Sequence, residues 1–174
     1  KSTDFVDLAQ APKYQNALYD LYHEGVMRGY SDNTMRPNAP INRAEFLKML
    51  FGTLQYQIDE SVYSPRYPDV PTDAWFSPYV HQADLLGVIK GYPDGRFHPE
   101  RTVNLAEALK MAMHFTNLEI KEDIIFSFPD VNPEDWFSRY VKTGFREGIL
   151  SDIEPGQYVH PGQFLTRGKA ALIV

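Results

Sequence analysis

The stretch GVMRGYSDNTMRPNAPINRAEFLKML, over Gly25–Leu50, returns 62 residues later as GVIKGYPDGRFHPERTVNLAEALKMA, over Gly87–Ala112. A motif of this length recurring at fixed spacing forces a repeat architecture. Gly25, Gly29, Pro37 and Glu45 align with Gly87, Gly91, Pro99 and Glu107. A third, degraded copy starts at Gly148 and has one extra residue before Pro161. It places Asp152 where the others have Gly29 and Gly91, so its loop is expected to take another shape. The expected units are 1–62, 63–123 and 124–174. An isolated unit of this size buries only roughly 60% of its unfolded surface, so the three must share one interior.

Each unit opens with an aromatic and an Asp, at Phe5–Asp7, Tyr67–Val70 and Phe128–Val131. A short amphipathic helix follows. Its apolar stripe is Ala17, Leu18, Leu21 in unit one, Tyr79, Val80, Ala83, Leu86 in unit two and Tyr140, Val141, Phe145 in unit three. In unit two, Ser77 is expected as N-cap with Pro78 at the first helical position. Gly25, Gly87 and Gly148 read as helix stops. Tyr92–Gly95 carries the residues of a type I turn, and Asn33 can serve as the left-handed residue of the matching loop. Pro37 and Pro99 predict an extended approach to the second helix.

That second helix opens on Asn42-Arg43-Ala44-Glu45, Asn104-Leu105-Ala106-Glu107 and Thr166-Arg167-Gly168-Lys169. The first two are capping boxes, with Asn and Glu each satisfying a free amide; in the third, Lys169 cannot accept the hydrogen bond that Glu would. Apolar residues continue as Ala44, Leu47, Leu50, Phe51, Leu54 and as Ala106, Leu109, Met113, Phe115. The third helix reaches Val174 after barely two turns, so the native polypeptide is expected to continue. The linkers fall at about Tyr56 to Pro65 and Leu118 to Ser127.

With 43% apolar residues the chain should fold, and a net charge of −6 argues against a nucleic-acid surface. An anionic ligand would have to be held by a few placed cations at short range. No apolar run approaches a membrane span and the first residues hold no signal-peptide core, so a signal has been removed or the sequence is an excised piece; membrane insertion is not expected. There is no Cys, and His23, His81, His98, His114 and His160 are scattered without metal-ligand spacing. No metal, cofactor or catalytic constellation is therefore expected.

An F-x-D-V-like opener, a helix ending in G-[IV]-x-x-G-Y-x-D-G, then F-x-P and a T-R-A-E-like signature together resemble the S-layer homology domain, in three tandem copies. The resemblance implies a mainly α fold: three helix-loop-helix repeats in one pseudo-threefold, three-pronged bundle. It implies an extracellular, non-catalytic anchor at the cell wall or S-layer. Its partner would be an anionic, in many members pyruvylated, secondary cell-wall polysaccharide held in the grooves between repeats. Carried over position by position, the signature Arg falls on Arg43 and Arg167, with Leu105 in unit two; the signature Glu falls on Glu45 and Glu107, with Lys169 in unit three. The aromatic near the opener falls on Trp75 and Trp136, with Lys13 in unit one.

Asn42, Glu45, Asn104, Glu107 and Thr166 are explained as helix caps without any ligand. Arg is not so explained, because a cation in the first helical turn opposes the helix dipole. With the free amides of a helix N-terminus it would suit a carboxylate; the plainer alternative is an ion pair with Asp7 or Asp69 of a neighbouring unit. Trp75 and Trp136 can stack on sugar faces, although core packing is the commoner use of a large aromatic. Gly29 and Gly91 would allow close approach of a ligand, but a backbone need suffices for them. The departures at Leu105, Asp152 and Lys169 support a second reading, a module for protein contacts, with further domains of the polypeptide or with lattice neighbours as partners.

Overall fold

A computed structural model describes residues 5–59, 61, 66–121, 125 and 127–174. The expected unit boundaries after residues 62 and 123 lie outside the described residues, as do parts of both linkers and the first four residues. Among the described residues the regular elements are six α-helices and a short 3-10 turn at Leu8–Gln10. The helices are α1 (Pro12–His23), α2 (Arg43–Thr53), α3 (Ser77–Leu85), α4 (Leu105–Phe115), α5 (Ser138–Arg146) and α6 (Arg167–Ile173).

The repeats close into a ring. The second helix of each repeat packs against the first helix of the next: α2 on α3, α4 on α5, and α6 back on α1. At the centre α4 touches both α2 and α6. Three backbone hydrogen bonds form a triangle on the pseudo-threefold axis: Ile41 N–H to Leu165 O at 3.1 Å, Leu165 N–H to Val103 O at 2.8 Å, and Val103 N–H to Ile41 O at 3.1 Å. The side chains of all three are buried. The fold is thus the expected mainly α, three-pronged bundle, with one contiguous apolar core running through all repeats.

The capping boxes at Asn42/Glu45 and Asn104/Glu107 are both formed, and Thr166 caps α6 by accepting from the Lys169 amide. The first-helix expectations need correction in two places. Ser77 is not a cap: α3 begins at Ser77, the residue before it is Phe76, and no side chain caps the end. Ser77 is buried instead, with its hydroxyl 3.5 Å from His81 Nδ1. Leu86 lies beyond the last turn and is exposed, as is Leu54 after α2.

The approach to the second helix also differs from a plain extended segment. Arg36, His98 and His160, each immediately before a proline, have φ of 51°, 56° and 55°. Left-handed backbone at a non-glycine residue costs about 1–3 kcal/mol and persists only where the surroundings hold it. The opener Asp supplies the hold. Asp69 accepts from the Phe97 and His98 amides at 3.0 and 2.7 Å; Asp7 does the same for Met35 and Arg36, and Asp130 for Val159 and His160.

Candidate functional site

The signature Arg residues do not pair with Asp7 or Asp69, whose carboxylates are engaged in those loops. Each instead crosses into another repeat. Arg43 Nε donates to Phe97 O at 3.0 Å, and Arg167 Nε donates to Met35 O at 2.9 Å. Met35 and Phe97 are equivalent positions, so the two arginines make the same strap. Arg167 Nη2 adds a bond to Arg28 O at 3.0 Å.

The amides at the helix N-termini are not free to bind an anion either. The Arg43 and Ala44 amides donate to Arg101 O and Pro99 O, and those of Arg167 and Gly168 to Ala39 O and Pro37 O. The next amide is taken by the cap residue. Any anion must therefore be held by side chains, which corrects the expectation that free helix amides contribute.

Each strap delivers a guanidinium into a groove built from all three repeats. Groove one is lined by Gly25–Tyr30, Glu45 and Lys48 of the first repeat, Trp75 of the second and Arg167 of the third, and has a volume of about 460 Å³. Groove two has the same parts one repeat on: Val88–Tyr92, Glu107 and Lys110, with Trp136 from the third repeat and Arg43 from the first, and a volume of about 180 Å³. In both, the guanidinium lies over the groove tyrosine: Arg167 at 5.1 Å from the Tyr30 ring and Arg43 at 4.7 Å from that of Tyr92. Trp75 and Trp136 are each 51% exposed, so the core reading does not hold for them. Lys48 and Lys110 stand over their rings at 5.6 and 5.5 Å.

The glycines beside the arginines answer a packing need. A Cβ on Gly29 would lie 2.3 Å from the Phe5 ring, and one on Gly91 would lie 2.5 Å from that of Tyr67. Gly91 also has φ +68°. Both line their grooves, where the bare backbone stays accessible.

The two grooves differ in electrostatics. In groove two Arg43 is buried and faces Glu107 at 3.8 Å, while the Tyr92 hydroxyl donates to Glu107 at 2.5 Å. Burial pulls the Arg43 guanidinium below its ordinary value, opposed by Tyr92 and Glu107. Burial, then the Glu107 hydrogen bond, pushes the Tyr92 hydroxyl up to about 12. Groove one is wider, and Arg167 is only half-buried.

Groove three has been rebuilt. Leu105 stands in place of the strap arginine, Lys13 in place of Trp, and Leu172 in place of Lys48 or Lys110. Lys169 turns to Asp152, and Lys13 Nζ lies 3.6 Å from the same carboxylate, all along one cavity with Tyr14, Tyr158 and Phe164. The reshaped loop has its own bonds, Ile153 N–H to Leu150 O and Gln157 N–H to Glu154 O. Gly168 belongs to the same rebuilding: a Cβ there, as on Ala44 or Ala106, would lie 2.4 Å from the Tyr14 ring.

Lys48, Lys110, Tyr30 and Tyr92 were not singled out from the sequence, nor was the opener Asp as a loop clasp. A signal for the lysines existed: Lys follows the signature Glu by three residues in the first two repeats and is lost in the third.

A domain model described as the S-layer homology domain matches residues 4–47, 66–109 and 127–171. The chain belongs to the S-layer homology domain family. It is 26% identical over 165 residues to cell surface glycoprotein 1 of Acetivibrio thermocellus, covering 87% of this chain and 7% of that protein. It is 29% identical over 120 residues to the S-layer protein sap of Bacillus anthracis, covering 63% and 15% respectively. To the cellulosome-anchoring protein of Acetivibrio thermocellus it is 25% identical over 166 residues, covering 91% and 36%. The chain thus spans well under half the length of these relatives. Among the described residues no helix is long and apolar enough to cross a membrane, and no group of three or more His, Asp or Glu is placed to hold a metal ion.

Proposed function

We propose that this chain is a non-catalytic anchoring module of the cell surface that binds an anionic cell-wall polysaccharide in grooves one and two. The observation that carries this reading is the twofold recurrence of one arrangement: a guanidinium strapped in place by a carbonyl of another repeat, with a lysine over a half-exposed tryptophan beside it. The strap uses Nε; Arg167 Nη2 also bonds Arg28 O and Arg43 Nη1 faces Glu107, and the terminal N–H groups that remain can reach a carboxylate, such as that of a pyruvylated sugar. The indole gives a sugar ring an apolar face to stack on. Asn42, Glu45, Asn104, Glu107 and Thr166 serve as caps, and Gly29 and Gly91 open the groove floor. Its place is outside the cell, at the wall or S-layer, as the names of its relatives suggest.

Groove three takes no part in this binding. The Asp152 carboxylate already sits among the cations there, and Leu105 removes the guanidinium. The same rebuilt groove favours a second reading, in which exposed Tyr158 and Phe164 contact further domains of the polypeptide or lattice neighbours.

Titration calorimetry with purified wall polysaccharide tests the first reading. Arg43→Ala/Arg167→Ala should abolish binding, and Lys48→Ala/Lys110→Ala, which breaks no strap, should weaken it. Unchanged affinity in both folded double variants would sink it. Concentration-dependent self-association in sedimentation, with no response to the glycan, would favour the second.

A further inference from the structure

Groove two does not end at Trp136. A second cavity of about 400 Å³ shares Trp136 with groove two and is lined besides by Pro133, Asp135, Ser138, Arg139 and Lys142. Arg139 and Lys142 belong to α5 alone: repeat two, which carries Trp75, has Pro78 and His81 at the equivalent positions.

We propose that groove two continues across Trp136 into a second cationic subsite formed by Arg139 and Lys142, so that it takes an acidic glycan through two successive charged groups, whereas groove one takes one. This rests on the reading of the grooves as glycan sites.

The charge distribution favours an anion. The chain carries a net charge of −6, yet among the described residues the two cavities gather Arg43, Lys90, Lys110 and Lys142, besides Arg139, around two carboxylates, Glu107 and Asp135. Both carboxylates are occupied: Glu107 accepts from the Tyr92 hydroxyl and the Asn104 amide, and Asp135 accepts from the Asn132 amide at 2.9 Å. Among the described residues, Lys90, Lys110 and Lys142 make no ion pair. Gathering like charges around a half-exposed ring works against the folded state, and a ligand bringing two negative groups would relieve it. The Lys110 ammonium registers the strain, pushed down first by burial and then by the positive charges of Lys90, Arg139 and Arg43. A sugar stacked on the indole would leave its neighbours on either side, one toward Arg43 and Lys90 and the other toward Arg139 and Lys142.

The test uses fragments of purified wall polysaccharide from partial acid hydrolysis, separated into those bearing one anionic group and those bearing two. Calorimetry on the wild-type chain should show one class of site that binds the two-group fragment more tightly than the one-group fragment. Arg139→Gln/Lys142→Gln should weaken the two-group fragment roughly fivefold to tenfold, the scale of two partly exposed ion pairs, and leave the one-group fragment within about twofold. If wild type gains nothing from the second group, or the variant binds the two-group fragment unchanged, the subsite is refuted while the groove reading stands. If wild type binds neither fragment nor polymer, the groove reading falls and takes the subsite with it.

Discussion

Arg167 donates its Nε–H to the carbonyl of Met35 at 2.9 Å, joining the last repeat to the first across 132 residues of chain. The bond gives the arginine a structural role that is separable from any ligand. Repeat two has dispensed with it, since Leu105 occupies that position. Replacing Arg167 by Leu should therefore leave a folded protein, less stable by about 2 kcal/mol for the lost charge-assisted bonds. Urea unfolding without glycan reads this directly, and a midpoint equal to wild type would mean that the strap carries no load.

Asp69 should matter more to stability than either cap. Its two oxygens hold the Phe97 and His98 amides and keep His98 in the left-handed region. Asp69→Ala is expected to cost about 3 kcal/mol, because two partly buried donors lose a charged acceptor. Combining it with His98→Gly, which removes the backbone strain, should recover part of that loss. A double variant no more stable than Asp69→Ala would show that the strained dipeptide is not what the carboxylate supports.

Acid should loosen groove three. Burial pushes the Asp152 carboxyl up, but the hydrogen bond and charge of Lys169, with Lys13 behind, outweigh it and hold the group below its ordinary value of 3.8. A carboxyl lowered on folding adds stability that is present above the unfolded value and fades as pH falls through the folded one. Wild type should thus exceed Asp152→Asn in melting temperature at pH 6–7, and the two should converge below about pH 3. The gap should be modest and should shrink in high salt, since the cluster is partly open to water. A gap independent of pH would place the effect elsewhere.

Placing at Gly168 the alanine that the first two repeats carry, as Ala44 and Ala106, should damage this chain. The added Cβ would strike the Tyr14 ring, an overpacking expected to cost roughly 1–3 kcal/mol. In a Tyr14→Ala background the same change should be close to neutral. Additive losses in the double-variant cycle would contradict the contact.

Much of this fold is legible in the sequence because its parts are local. The capping boxes are read from residues three apart, the helix stripes from their period, and the threefold plan from the recurrence of Gly, Pro and Glu. The grooves are harder, because their parts lie in different repeats. Nothing near Arg43 in sequence says that it reaches Phe97, and nothing near Trp75 says that it faces Arg167. The opener Asp was recognisable as a repeated residue, but its role depends on a loop 28 residues downstream. Ser77 misled because it has the identity of a cap, while the preceding turn, closed by Ser77 N–H on Ala74 O, already positions the helix start and leaves the hydroxyl to be buried.

Drawing each groove from three repeats has a consequence for how such a module changes through descent. A single repeat, copied or lost, would carry the floor of one groove, the tryptophan of another and the arginine of a third, and so would leave every groove missing a part. The three must be inherited together, while individual grooves remain free to diverge. Leu105, Asp152 and Lys169 are where that freedom shows: one groove carries a different chemistry inside the closed ring, while the other two keep their arginine, lysine and tryptophan.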